Sequence, residues 1–327
     1  MNLYGTAEAV PLTKSAFSAS SENPTVNGRI DHRQYPVTGP CHVSLRFATI
    51  CHLQFKSDGG STMKRLLFLA PIGALLFAPA VLTAQSALNG TWKVDMSNVD
   101  WSKKPDVTLL QDGMYSCSTC TPPIKIKADG KDQAVTGHPY VSTIAIKVVN
   151  DHEIQETDKK DGKVVGTSTT TISPDGKIAT FTFTDSSNTN GGPPVTGKGE
   201  ETLVAKGPAG SHALSGSWRM SKMETLSDNG ITWSYQVTGD SLTMTSKTGQ
   251  SYTAKLGGPE APMKGDPGVT SVSVKMMGKN TLVETDKRGD KIVSVTTLTV
   301  APDGKSAKAV AEDKLANRTT TFNVVKM

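Results

Sequence analysis

The residues with the widest chemical reach are Cys117-Ser118-Thr119-Cys120. Two thiols at this spacing can close a disulfide, share a metal ion or exchange electrons with a partner. The redox option needs the first sulfur at a helix N-terminus, where the dipole lowers its pKa. Here Thr121-Pro122-Pro123 follows, then the strand-like Ile124-Lys125-Ile126-Lys127. A zinc site needs four ligands, and His138, His152 and His212 could supply nitrogens, but at no recognised spacing. A disulfide between Cys117 and Cys120 is therefore expected, with a metal or redox site as the alternative and no cofactor predicted. No Gly-x-Ser-x-Gly elbow is present. Glu200-Glu201 and the alternating pair Glu156 and Asp158 fall where solvated strand faces are expected. Alternate residues share a face, so Glu156 and Asp158 could also line a cavity together. No residue stands out as catalytic, and the chain reads as a non-catalytic protein.

What positions these residues is a duplicated chain. Val141 to Lys177 aligns without a gap onto Val269 to Lys305, and Pro174-Asp175-Gly176-Lys177 repeats as Pro302-Asp303-Gly304-Lys305. Leu88-Asn89-Gly90-Thr91-Trp92-Lys93 answers to Leu214-Ser215-Gly216-Ser217-Trp218-Arg219. Solenoid units run only about 20–50 residues, so so long a period means two whole domains. Thr143 to Val148 alternates apolar with small or polar residues, and Val272, Val274 and Met276 keep that phase. Period-two alternation marks strands with one buried face, and Val- and Thr-rich runs suit a pleated surface. Asp161-Gly162, Asn229-Gly230 and the Pro-Asp-Gly turns supply hairpin connections. Eight or so strands per unit in meander order predict an all-β fold of two tandem antiparallel up-and-down β-barrels, with a β-sandwich as the alternative. The units are expected at 88–206 and 214–327, joined by a linker at 207–213.

Ahead of the first repeat, Met63-Lys64-Arg65 leads an apolar run that ends in small residues at Ala80 and Ala84, the pattern of a secretory signal peptide. Pro71 and Pro79 make a permanent membrane span the poorer reading. Cleavage is expected after Ala84. Residues 1–62, which hold Cys41 and Cys51, are expected to be a disordered leader or a start assigned too early. Removing seven basic and four acidic residues from a chain of net charge +5 leaves the remaining 243 residues at +2. No basic stripe with interleaved aromatics appears, so nucleic-acid binding lacks its electrostatic footprint. The expected location is periplasmic or secreted.

The Gly90-Thr91-Trp92 and Gly216-Ser217-Trp218 openings resemble the Gly-x-Trp start of lipocalin and fatty-acid-binding-type barrels. The wider pattern, with Tyr252-Thr253-Ala254-Lys255-Leu256-Gly257-Gly258 and the Pro-Asp-Gly-Lys turns, resembles exported bacterial proteins with tandem lipocalin-like (calycin-type) β domains. The resemblance implies barrels with Trp92 and Trp218 as structural plugs, and a hydrophobic ligand. The inward candidates for such a cavity are Ile144, Ile146, Val148, Phe181 and Phe183, then Val272, Val274 and Met276. Small β-branched residues can also fill a barrel completely. In that case the protein would be an envelope module using loops such as Asn188 to Pro194 for partner contacts.

Overall fold

The computed structural model describes residues 87–327. Residues 1–62 and the expected signal peptide at 63–84 lie outside the described residues. Besides a 3₁₀ turn at Asp228–Gly230, the elements are strands, and the pairing within both sheets is antiparallel. In chain order they are β1 (Gly90–Asp100), β2 (Asp106–Gln111), β3 (Met114–Cys117), β4 (Ile124–Lys127), β5 (Gln133–Ala134), β6 (Thr143–Asn150), β7 (Glu153–Lys160), β8 (Lys163–Ile172), β9 (Ile178–Asp185) and β10 (Val195–Lys206). The second set is β11 (Gly216–Leu226), β12 (Thr232–Thr238), β13 (Ser241–Ser246), β14 (Ser251–Lys255), β15 (Ala261–Pro262), β16 (Ser271–Met277), β17 (Thr281–Arg288), β18 (Lys291–Val300), β19 (Ser306–Asp313) and β20 (Arg318–Lys326). The predicted alternation is visible in β2, whose buried and half-buried residues alternate throughout. Asp161 and Gly162, at φ of 50° and 79°, make the two-residue hairpin between β7 and β8.

The strands form two sheets of ten, more than the eight or so expected, and each curls until its ends nearly meet. Bridges from Asp129 to Lys147 and from Ser251 to Lys264 draw the free edges together. An almost closed sheet leaves little unpaired edge, which protects against strand-by-strand aggregation.

Sheet membership departs from the expected boundaries at one strand in each repeat. β1 pairs with β12 and β20, so the first strand of the N-terminal repeat completes the C-terminal barrel. β11 pairs with β10 and β2 and completes the other barrel. Barrel 1 is thus the continuous stretch 106–226, set between β1 and the rest of barrel 2. The linker 207–213 is a connection inside barrel 1. The chain changes barrels at 101–105 and 227–231, equivalent positions in the two repeats. A two-residue hairpin would return β1 onto its own neighbour; these five-residue segments carry it across instead.

The two barrels are related like partners in a strand-exchanged dimer. Tyr140 and its repeat equivalent Gly268 meet each other. A Cβ on Gly268 would lie 2.0 Å from the Tyr140 hydroxyl, so one tyrosine fits where two would collide. That hydroxyl donates to Asp266 Oδ1 at 2.7 Å, which also accepts the Gly268 N–H. The Asn188–Pro194 loop is not free for an outside partner. Asn190 donates to the carbonyls of Thr248 and Gly265, and Asn188 donates to Asp266.

Candidate functional site

The duplicated tryptophans occupy matching places. Both are fully buried; Trp92 donates its indole N–H to Leu88 O at 2.8 Å and Trp218 to Leu214 O at 2.7 Å. Because β1 is exchanged, Trp92 serves barrel 2 and Trp218 barrel 1. Opposite Trp92 stands Lys326, its ammonium 4.8 Å from the indole centroid; opposite Trp218 stands Leu203. The cation therefore marks one copy only.

Among the expected cavity residues, Ile144, Ile146, Val272 and Val274 are buried in the two main apolar clusters. Met276 packs half-buried against the second barrel's core. Phe181 and Phe183 lie over glycines: Cβ atoms on Gly199 and Gly197 would come within 2.4 Å and 2.2 Å of their rings. They join Trp101, Met220 and Met223 in a third cluster. Val148 departs from the expectation. It is 40% exposed and lines a surface cleft of about 550 Å³ with His152 and His212. Both histidines are committed to the backbone there, His152 Nδ1 to Ile172 O and His212 Nε2 to Asn150 O. Asn280, the repeat equivalent of His152, makes the same contact with Val300 O, so this use of the imidazole is structural.

Cys117 and Cys120 form the expected disulfide. His138 and His152 do not join the sulfurs, and among the described residues no group of three His, Cys, Asp or Glu is placed to hold a metal ion. Strand register puts Met244 opposite Cys117 in the repeat, through Thr108–Cys117 and Tyr235–Met244.

The feature the linear pattern did not bring out is a set of inward carboxylates. In barrel 1 one row across the strands reads Ile144, Asp158, Gly166, Asp185, Val195. The same row in barrel 2 reads Val272, Asp286, Ser294, Asp313, Arg318. Glu156 and Glu284 occupy the next row, and each is only 3% exposed. The expected solvated face for Glu156 and Asp158 is thus corrected: they share parity with buried Ile154.

The two sets are satisfied differently. In barrel 2, Tyr252 donates its hydroxyl to Glu284 Oε2, Tyr235 closes on the same carboxyl, and Ser294 donates to Asp286 Oδ2 at 2.8 Å. Burial, then the Glu284 charge, pushes both phenols well above the usual range, so they remain donors. Asp313 accepts the Leu315 and Ala316 N–H groups. In barrel 1 the register puts Ile124 at the Tyr252 position, Thr108 at the Tyr235 position and Gly166 at the Ser294 position. The acids are kept and three hydroxyl donors are replaced by smaller or apolar groups. Burial pushes Asp158 up to about 7, opposed by its hydrogen bond with Glu156 and reinforced by the Asp185 charge. Burial likewise pushes Asp185 up to about 6, against the Ser187 contacts. Oδ1 of Asp158 is shut off from solvent and takes no hydrogen bond.

A second polar group joins the barrels. Arg318 grips Asp106 with two guanidinium nitrogens at 2.5 Å and 3.1 Å, both side chains being buried. Burial alone would favour the neutral acid. A bidentate guanidinium at these distances outweighs it and holds Asp106 ionised. Thr119, inside the disulfide loop, also donates to Asp106. Burial, and then the Asp106 charge, push Glu201 up to about 8. Glu201 therefore faces inward as a neutral acid, where a solvated strand face was expected.

The chain matches no protein-family model and no curated relative.

Proposed function

We propose that this is an exported, non-catalytic binding protein that holds a small, mainly apolar molecule inside barrel 1, with barrel 2 as its packed structural half. The observation that carries this reading is the asymmetry of the donors. Tyr235, Tyr252 and Ser294 serve the inner acids of barrel 2, and Thr108, Ile124 and Gly166 stand at their positions in barrel 1. Buried acids without donors are costly, and sites where a fold breaks its own pattern are where function is expected. Export is supported by the Met63–Ala84 segment, and a mass spectrum of the secreted chain beginning at Gln85 would establish it. The binding reading predicts saturable uptake of a neutral hydrophobic fluorophore, one per chain. A variant carrying Thr108→Tyr and Ile124→Tyr, which refills barrel 1 after the pattern of barrel 2, should lose that uptake. Absence of saturable uptake by the parent chain would end this reading.

A second reading, an envelope module with both barrels filled, is favoured by the burial of Ile144, Ile146, Val272 and Val274 in packed clusters. It predicts no uptake by either protein, and co-purification with a protein partner.

A further inference from the structure

We infer that the molecule held in barrel 1 carries a primary ammonium group, which docks on Asp158, Glu156 and Asp185 and supplies the hydrogen-bond donors that tyrosine and serine supply in barrel 2. The inference rests on the binding reading above and adds the chemistry of the ligand's head.

Three observations lead to it. Asp158 and Asp185 flank Gly166 in one row, and Glu156 bonds Asp158 from the same strand. The neighbours of Asp158 on β6 and β8 are Ile144 and Gly166, which carry no charge, so no cation on those strands balances the group. Oδ1 of Asp158 is buried and takes no hydrogen bond. Each oxygen of a carboxylate can accept a donor, and a buried one left without any is strongly penalised. An ammonium offers three donors and one positive charge. A metal ion would answer the charge, but the described residues include no trio placed to ligate one. The surrounding Ile124 and Ile144 are buried and apolar, which suits an alkyl chain behind the head.

Gly166 gives a means of closing the site. A Cβ there would stand 3.0 Å from Asp158 Oδ2, and the equivalent Ser294 already bonds Asp286. Gly166→Ser should bring a hydroxyl of the protein's own onto the acid that the ligand would otherwise contact.

The test is calorimetric titration of the secreted chain with hexylammonium chloride and, separately, with hexanol, at pH 8 and pH 5.5, with thermal melts of every variant. The expected result is hexylammonium binding at pH 8 that weakens on acidification, as protons take up the carboxylates. Asp158→Asn and Gly166→Ser should each weaken it by roughly tenfold or more, the loss expected for one charge-assisted hydrogen bond. Asp158→Asn removes an acid and Gly166→Ser adds a donor, so a shared loss of binding with both melts intact cannot come from unfolding. If hexanol binds as well as hexylammonium, or if Asp158→Asn leaves hexylammonium binding unchanged, the ammonium assignment is wrong while interior binding stands. If neither compound binds, and the neutral fluorophore also fails, both readings fall together.

Discussion

Barrel 1 and barrel 2 carry the same inner carboxylates but surround them differently, and the difference separates what the fold needs from what it tolerates. Both keep an indole bonded to the carbonyl four residues earlier, a glutamate in the second row and an aspartate pair in the first. Barrel 2 answers its acids with phenols, a serine and backbone N–H groups. Barrel 1 spends its aromatic volume elsewhere, on Phe181 and Phe183 laid over glycines, where barrel 2 has Ala309 and Ala311 in the corresponding row positions and Phe322 in place of Gly199. Large and small have traded strands in that region, so the apolar volume is conserved there. No such trade restores the missing hydroxyls.

The comparison breaks first at the tryptophans. Trp92→Ala and Trp218→Ala should each cost about 3–5 kcal/mol, the usual range for deleting a large buried aromatic. Because of the exchange, amide exchange should rise in 232–326 for Trp92→Ala and in 106–226 for Trp218→Ala. The opposite assignment would contradict the exchanged topology. Arg318→Met should cost about 3 kcal/mol, since it leaves Asp106 buried without its partner. Its repeat equivalent Val195, replaced by Ala, should cost less, and denaturant melts of the two variants test that ranking. Tyr252→Phe should cost about 1–3 kcal/mol by removing a donor from Glu284. Ile124→Tyr, the reverse exchange in barrel 1, should not show the same loss if room for a phenol exists there. Replacing Cys117 and Cys120 together by Ser should cost about 2 kcal/mol, because the loop closed is short, and should leave ligand uptake intact.

The pH dependence sharpens the contrast further. Asp158, Asp185 and Glu201 in barrel 1 sit at about 7, 6 and 8, whereas Asp313 at about 7 is the raised acid of barrel 2. Each folded pKa lies above its unfolded value, so the folded chain keeps protons that the unfolded chain releases. The stability is full below the unfolded carboxyl range and declines as pH climbs through about 8. Glu201→Gln should flatten the upper part of that decline, seen as a smaller drop in Tm between pH 6 and pH 8.5. An unchanged drop would show that Glu201 is not held neutral.

Much of the fold was legible in the chain. Strand periodicity, the Asp-Gly and Pro-Asp-Gly turns and the doubled Trp openings each express local physics, and local physics is what a linear pattern records. The exchange of β1 and β11 left no such mark. Two repeats with the same alternation satisfy either pairing, and the choice is made by five-residue connections at 101–105 and 227–231 that have no special composition beyond Pro105. The inner acids did leave a mark. Glu156 and Asp158 share parity with Ile154, as Glu284 and Asp286 share it with Leu282. Reading charged residues as solvated faces overrode that parity, and the repetition of the pair in both halves was the clue. Their differing donors come from β2, β4, β12 and β14, distant strands whose register only the assembled sheet defines.

The partnership of β1 with β20 also governs how the molecule can come into being. A polypeptide is made and delivered from its N-terminal end, so Gly90–Asp100 emerges first, yet it must be flanked by Thr232–Thr238 and Arg318–Lys326. Barrel 1 owns all of its strands within 106–226 and can close while later residues are still arriving. The leading segment has to wait, unpaired, for the very last one. Losing even a few C-terminal residues would therefore be felt at the opposite end of the chain, where Trp92 rests beside Lys326.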